Sequence, residues 1–144
     1  MIEVKLLELQ EMEDDNFLCA VIAARYKDEW IFVREKGKET WELPGGTHEV
    51  GEAISETASR ELFEETGAIK FGITPVCISF AKVGQRQSYA KLFYAEVLEL
   101  STLPNLEIEE IKLFDSLPEN LTYPEIHSVL FKRAVEFSQE VRDI

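Results

Sequence analysis

From Phe17 to Arg25 the chain is almost continuously apolar, and from Glu29 to Val33 it is apolar again, with Tyr26-Lys27-Asp28 between. Two runs rich in β-formers and split by so short a polar interval predict a hairpin. Ser55 to Thr66 contains neither Pro nor Gly, is rich in Ala, Leu and Glu, and runs into Gly67. That composition predicts a helix stopped by a C-terminal glycine. Ile73 to Phe80 reads as a buried strand. Gln87 to Leu98 alternates, with Tyr89, Lys91, Phe93, Ala95 and Val97 on one face and Ala90, Leu92, Tyr94 and Leu98 on the other. Ile108 to Phe114 gives a further short strand. Pro124 sits at the favoured first position of a last helix, whose apolar stripe is Ile126, Leu130, Ala134, Phe137 and Val141. Strands interleaved with two main helices predict a layered α/β architecture with a mixed sheet.

Composition adds limits to this picture. A chain of 144 residues that is 45% hydrophobic can bury one sizeable core, so residues 1–144 are expected to form a single domain. No linker, low-complexity tract or internal repeat interrupts it. The opening MIEVKLLELQ is too acidic, and its apolar run too short, for a signal peptide. No stretch approaches the ~18 consecutive apolar residues of a membrane span. Cys19 and Cys77 lie in apolar strand-like runs and are expected as buried thiols, not as a disulfide framework. A cytoplasmic location follows, with no membrane partner. The net charge of −13 repels nucleic-acid backbones at long range and argues against a duplex ligand. A small polyphosphate stays open, because a cation can invert the local potential.

The chemistry concentrates in Gly46 to Ala68, GTHEVGEAISETASRELFEETGA. Helical positions advance about 100° per residue, so Glu65 lies about 40° to one side of Glu61 and Glu64 about 60° to the other. Three carboxylates then share one patch near the negative end of the helix dipole, where like charges repel. A charge run is most often a solvated helix face. Here a hard divalent cation with oxygen ligands would remove the conflict and bridge to phosphates. Upstream, Trp41-Glu42-Leu43-Pro44-Gly45-Gly46 reads as a strand end followed by a tight, glycine-dependent loop.

The same segment fits G-x5-E-x7-R-E-U-x-E-E-x-G-U, where U is a bulky aliphatic. Gly46, Glu52, Arg60, Glu61, Leu62, Glu64, Glu65 and Gly67 all fall on their positions, and only Ala68 is smaller than the usual final residue. This resembles the Nudix box, the signature of hydrolases that cleave nucleoside diphosphates linked to another moiety. The resemblance implies an α/β/α sandwich with a mixed sheet. It also implies Mg²⁺, with Mn²⁺ as a substitute, held by Glu61, Glu64 and Glu65 together with the backbone carbonyl of Gly45. Glu52 matches the glutamate that pairs with the box arginine, Arg60. The family's general base varies. A box glutamate, here Glu61, can serve, or a glutamate on a later loop, for which Glu107, Glu109 and Glu110 are candidates and Glu107 the preferred one.

The family's markers for ADP-sugar, coenzyme A or NADH substrates are absent. The chain is therefore most similar to the small MutT-like group, which hydrolyses nucleoside triphosphates to the monophosphate and pyrophosphate. Oxidised guanine nucleotides and triphosphorylated RNA ends are both substrates of this kind. The alternatives are a nucleotide-sensing Nudix-fold module that does not hydrolyse, and an acidic protein-interaction domain.

Around this core, Arg34, Lys36 and Lys38 precede the glycine loop. Lys36, Gly45, Gly46 and Tyr89 are the expected substrate contacts, and a homodimer is compatible with the sequence. Trp41 and Phe93 have the chemistry to stack on a base, although aromatics in such positions usually pack. His48 lies inside the box loop near the expected phosphates, and His127 is expected to be structural.

Overall fold

The computed structural model describes residues 1–142. Seven strands and two long helices follow the chain as β1 (Ile2–Leu7), β2 (Phe17–Tyr26), β3 (Glu29–Glu35), β4 (Gly45–Thr47), α1 (Ile54–Thr66), β5 (Ala68–Val83), β6 (Arg86–Leu100), β7 (Ile108–Phe114) and α2 (Pro124–Arg142). All strands join one sheet in the order β1-β5-β6-β2-β3-β7, with β4 added beside β2. β2 and β6 run parallel, and the other strand pairs are antiparallel. The expected mixed sheet is present.

Each face of the sheet carries its own apolar cluster. On one face Ile54, Ala58 and Leu62 of α1 pack with Phe17, Ala20, Ile22, Ile78, Phe93, Ala95 and Val97. On the other, Leu130, Phe131 and Ala134 of α2 pack with Val21, Ala23, Trp30, Phe32, Leu92 and Tyr94. Between Tyr89 and Val97 the odd and even apolar residues of β6 divide between the clusters as the alternation requires; beyond them Leu98 is exposed and Leu100 packs with the first cluster. Helix on sheet on helix is the α/β/α sandwich.

Three expectations need correction, and one element was not expected. The N-terminal residues form an edge strand, β1, which pairs with the outer half of β5. The strand expected at Ile73–Phe80 begins at Ala68, directly after the helix, and runs to Val83. Its first half carries bulges around Lys70 and Pro75, so the polar and apolar residues there lose strict alternation. The buried face of α2 is His127, Leu130, Phe131, Ala134 and Ser138, whereas Val141 is exposed. Cys77 is buried, but Cys19 is only partly covered; both are free thiols.

The β2–β3 hairpin turns on Lys27 (φ 51°) and Asp28 (φ 67°), both left-handed although neither is glycine. Positive φ at both turn residues is the mirror-image geometry that matches strand twist. Pairing between β2 and β3 is confined to Arg25 with Trp30 and Tyr26 with Glu29. Beyond these pairs the strands diverge, and the chain at 41–47 fills the wedge. Glu42 exchanges two 2.9 Å backbone hydrogen bonds with Val33 of β3, and the Pro44 carbonyl accepts from Ile22 N–H of β2 at 2.8 Å. Among the described residues, no helix is long and apolar enough to cross a membrane.

Candidate active site

Helix α1 starts without a side-chain cap, since Ala53 stands at that position. Glu56 accepts from Ala53 N–H at 2.8 Å, and Asp14, forty residues upstream, accepts from Ile54 N–H at 3.2 Å. Two acceptors thus satisfy backbone donors that the first turn leaves open. The helix ends at Gly67 with φ 81°, donating to Phe63 O at 2.8 Å. A Cβ there would also lie 2.7 Å from Ser101 O. Between these ends Ile54, Thr57, Ala58, Leu62 and Thr66 are buried. Glu61, Glu64 and Glu65 lie at the edge of that buried stripe, half covered.

Gly45 and Gly46 are needed for contact, not for an unusual φ, which corrects the expectation of a glycine-dependent turn. Neither has a positive φ, and both lie in β4 against β2. A Cβ on Gly45 would come 2.4 Å from the Ala20 carbonyl oxygen, and one on Gly46 would come 2.1 Å from the Glu61 carboxyl carbon. Gly46 therefore forms the cradle in which Glu61 sits. Gly45 N–H donates to Glu65 Oε1 at 2.9 Å.

Arg60 lies among carboxylates. Its Nε donates to Glu52 at 2.7 Å, its Nη1 to Glu61 at 2.7 Å and to Glu64 at 3.2 Å, and its Nη2 to the Thr47 carbonyl at 3.2 Å. Glu49 stands 3.8 Å away. Hydrogen bonds from Arg60, and then from Thr57, hold the Glu52 carboxyl down at about 2, while the hydrogen bonds to Glu52 and then Glu61 push the guanidinium further up. His48 Nε2 meets the carbonyl of Glu52, and its backbone N–H donates to Leu18 O at 3.0 Å. His48 thereby braces the box loop.

The other box carboxylates are shifted the opposite way. Burial pushes Glu65 up to about 8, only partly offset by the Gly45 N–H. Burial also raises Glu61, against the pull of Arg60. Glu42 is raised to about 7 by burial and by neighbouring Glu35, and its Oε2 is buried without a hydrogen-bond partner.

Glu61, Glu64 and Glu65 wall a cavity of about 300 Å³, closed on its far side by Leu106, Glu107 and Ile108. Of the three later-loop candidates, Glu107 alone is among these lining residues. Glu110 accepts from Arg34 at 3.0 Å, and Glu109 is exposed. Lys36 is not a lining residue. Its Nζ donates to Asn105 Oδ1 at 2.7 Å and its backbone N–H to Glu107 O at 2.9 Å, so it ties down the strap that bears Glu107. Tyr89 packs against Phe80 with ring centroids 5.5 Å apart and does not line the cavity either. Trp41 packs edge-on against Phe114 at 5.3 Å, and Phe93 is core. His127 has a contact that its position in the sequence did not show: its Nδ1 accepts from Leu43 N–H at 3.2 Å.

A NUDIX domain family model matches residues 13–138. The chain belongs to the NUDIX family.

Its relatives agree with that placement. A Mus musculus protein, nucleoside diphosphate-linked moiety X motif 6, is 59% identical over 34 residues, 24% of this chain and 11% of the mouse protein. A Bacillus subtilis (strain 168) protein, provisionally named 8-oxo-dGTP diphosphatase, is 40% identical over 47 residues, 33% of this chain and 32% of that one. The matches thus span about a third or less of these curated relatives. Among solved structures, the Bacillus subtilis pyrophosphohydrolase BsRppH superposes with a TM-score of 0.80 at 22% identity, covering 95% of this chain and 90% of that one. At that identity the likeness concerns the fold.

The NUDIX site suits a divalent cation by its own chemistry. Ionised Glu65 is disfavoured by burial, Glu61 is pressed into the Gly46 cradle, and all the donors are hard oxygens. Among the described residues, no three Asp, Glu, His or Cys side chains converge on one point as they would around an ion. The hydrogen bonds explain why. Arg60 draws Glu61 and Glu64 to itself, while Glu65 turns to Gly45 N–H.

Proposed function

We propose that this NUDIX protein hydrolyses a phosphoanhydride bond in a nucleoside diphosphate-linked substrate, with a nucleoside triphosphate converted to the monophosphate and pyrophosphate as the leading case. The observation that supports this most is the cavity in which Glu61, Glu64 and Glu65 face Glu107. A phosphoanhydride is protected from attack by its own negative oxygens, so hydrolysis requires charge neutralisation and a positioned water. Glu61, Glu64, Glu65 and the Gly45 carbonyl are the groups that would hold Mg²⁺ or Mn²⁺. When bound, the ion supplies positive charge to the phosphates and acidifies water.

The chain's own residues divide the remaining work. Arg60, anchored by Glu52, orients Glu61 and Glu64. Glu61 is the proposed general base, because its place in the box is fixed by the motif and the Gly46 cradle holds its carboxylate at the cavity wall. Glu107 is the competing base across the cavity. The relatives' names, a diphosphatase and a pyrophosphohydrolase, support the reaction class and leave the substrate to experiment.

A phosphate-release screen tests the proposal. It covers nucleoside triphosphates including oxidised guanine nucleotides, dinucleoside polyphosphates, nucleotide sugars and triphosphorylated RNA, with Mg²⁺, Mn²⁺ or chelator. Metal-dependent release is expected. Full turnover in excess chelator refutes the mechanism, and nucleotide binding without release supports a sensing module instead. On the best substrate, Glu61→Gln is expected to abolish turnover at saturating metal while Glu107→Gln costs little. Loss of about 10²–10⁴-fold for Glu107→Gln with metal affinity unchanged, the range for a missing general base, reassigns the proton to Glu107.

A further inference from the structure

We propose that His127, on the far helix α2, is a positioning residue for the metal site and acts through the Leu43-Pro44-Gly45 segment. For its effect on metal this rests on the reading above; for its effect on the backbone it does not.

Three consecutive residues of the segment are each fastened to a different element. Leu43 N–H donates to His127 Nδ1 of α2 at 3.2 Å. The Pro44 carbonyl accepts from Ile22 N–H of β2 at 2.8 Å. Gly45 N–H donates to Glu65 Oε1 of α1 at 2.9 Å. The segment bridges both faces of the sheet, and it ends on a carboxylate that is expected to ligate the ion.

The imidazole is suited to the task. It is buried, its backbone N–H donates to Tyr123 O at 2.9 Å, and the Tyr123 ring meets it edge-on at 5.5 Å. Accepting at Nδ1 requires that nitrogen to be unprotonated, which places the ring proton on Nε2. Burial supports the neutral form by depressing the imidazole to about 4. An aliphatic side chain of similar size would fill the space but leave the buried Leu43 N–H unpaired, and an unpaired buried donor is costly enough to move the backbone. With Leu43 displaced, Gly45 N–H leaves Glu65, and the most deeply buried box carboxylate loses its orientation. Partners that orient a metal ligand in this way are worth about 10–100-fold in metal affinity.

The experiment compares His127→Leu, His127→Asn and Phe131→Leu. The asparagine amide oxygen can take the place of Nδ1 as acceptor. Phe131→Leu trims packing in the same buried cluster but leaves the acceptor of the Leu43 N–H in place. Amide hydrogen exchange at Leu43 and Gly45 is read without metal, and Mn²⁺ affinity is read by electron paramagnetic resonance. In His127→Leu both amides are expected to exchange at least tenfold faster and Mn²⁺ to bind roughly tenfold more weakly, while His127→Asn recovers most of both. Phe131→Leu should lower the melting temperature and leave both readouts unchanged. Gly45 exchange that stays at the wild-type level in His127→Leu overturns the proposal, as does a loss shared equally by the Asn and Phe131 variants. Failure of the wild-type protein to bind Mn²⁺ refutes the metal reading, and Gly45 exchange still decides whether His127 positions the segment.

Discussion

Helix α2 buries His127, Leu130, Phe131, Ala134 and Ser138 and leaves Lys132, Glu136 and Glu140 exposed. Helix α1 buries Ile54, Thr57, Ala58, Leu62 and Thr66 in the same manner, yet keeps three glutamates half covered in its last two turns. Packing accounts for the buried residues of α2 other than His127, which accepts from Leu43 N–H. On α1 it does not, because carboxylates near a helix C-terminus oppose the dipole and each other, and burial disfavours their charge. Arg60 relieves part of that conflict for Glu61 and Glu64 but not for Glu65. The two helices separate residues that hold the sheet together from residues kept at some expense of stability.

The sharpest test of that separation is Glu64→Gln, which preserves shape and removes charge. Turnover on the best substrate is expected to fall roughly 10³-fold, about 4 kcal/mol of barrier, while the melting temperature holds or rises. An unfolded variant with intact specific activity would make the residue structural and dissolve the contrast.

The mirror-image test is Phe131→Ala on α2. Its ring packs 5.3 Å from Trp30 and 5.6 Å from Phe32, so denaturant titration should show a loss of roughly 3–5 kcal/mol. Turnover per folded molecule should stay at the wild-type value; a fall would carry catalysis onto the packing helix.

Arg60→Ala sits between the two. It strips charged partners from Glu52, Glu61 and Glu64, so stability should drop by roughly 1.5–3 kcal/mol, the scale of a hydrogen bond to a charged group. Activity should drop with it. Wild-type kinetics in this variant would show that the pairing is dispensable.

The smallest effect is a pH slope. Folded Glu65 keeps its proton up to about 8, against 4.5 for the free group. Its stabilising contribution is thus complete below 4.5 and is lost as pH rises through 8. In chelator, Glu65→Gln should flatten the decline in stability between pH 5 and 8. The slope removed is at most about 1.4 kcal/mol per pH unit, that of a single proton. Parallel curves for the two proteins would mean that Glu65 is not strained.

Local pattern was enough to read the box helix from its composition, the short hairpin from two β-rich runs and the two faces of β6 from alternation. It was not enough for β5, where bulges around Lys70 and Pro75 shift the register and the first half is largely exposed. At the edge strand β1 only one side is paired, and Ile2 and Leu6 remain partly exposed. The gathering of the box glutamates was legible from their helical spacing. Glu107 opposite them was selected from three neighbours by its place before a strand. Lys36 and Tyr89 have suitable chemistry for a substrate, but their side chains are engaged with Asn105 and Phe80. Nothing local shows that Leu43 N–H meets His127, because that contact joins positions 84 apart and depends on how α2 crosses the sheet.

The threading of residues 41–47 into the wedge between β2 and β3 has a consequence for the order in which the protein comes into being. Its fastenings come from residues 22, 65 and 127, and the strand that completes the wall of β2 is β6, which pairs in parallel from half a chain length away, Phe17 with Tyr89. Such distant closures are made slowly and near the end of folding. An intermediate holding β2, β3 and α1 alone would carry Arg60 and the three helix glutamates of the signature and still lack the fastening at His127 and the wall from β6. In refolding, return of metal binding should therefore coincide with the slowest structural phase, so that partly folded molecules remain catalytically silent.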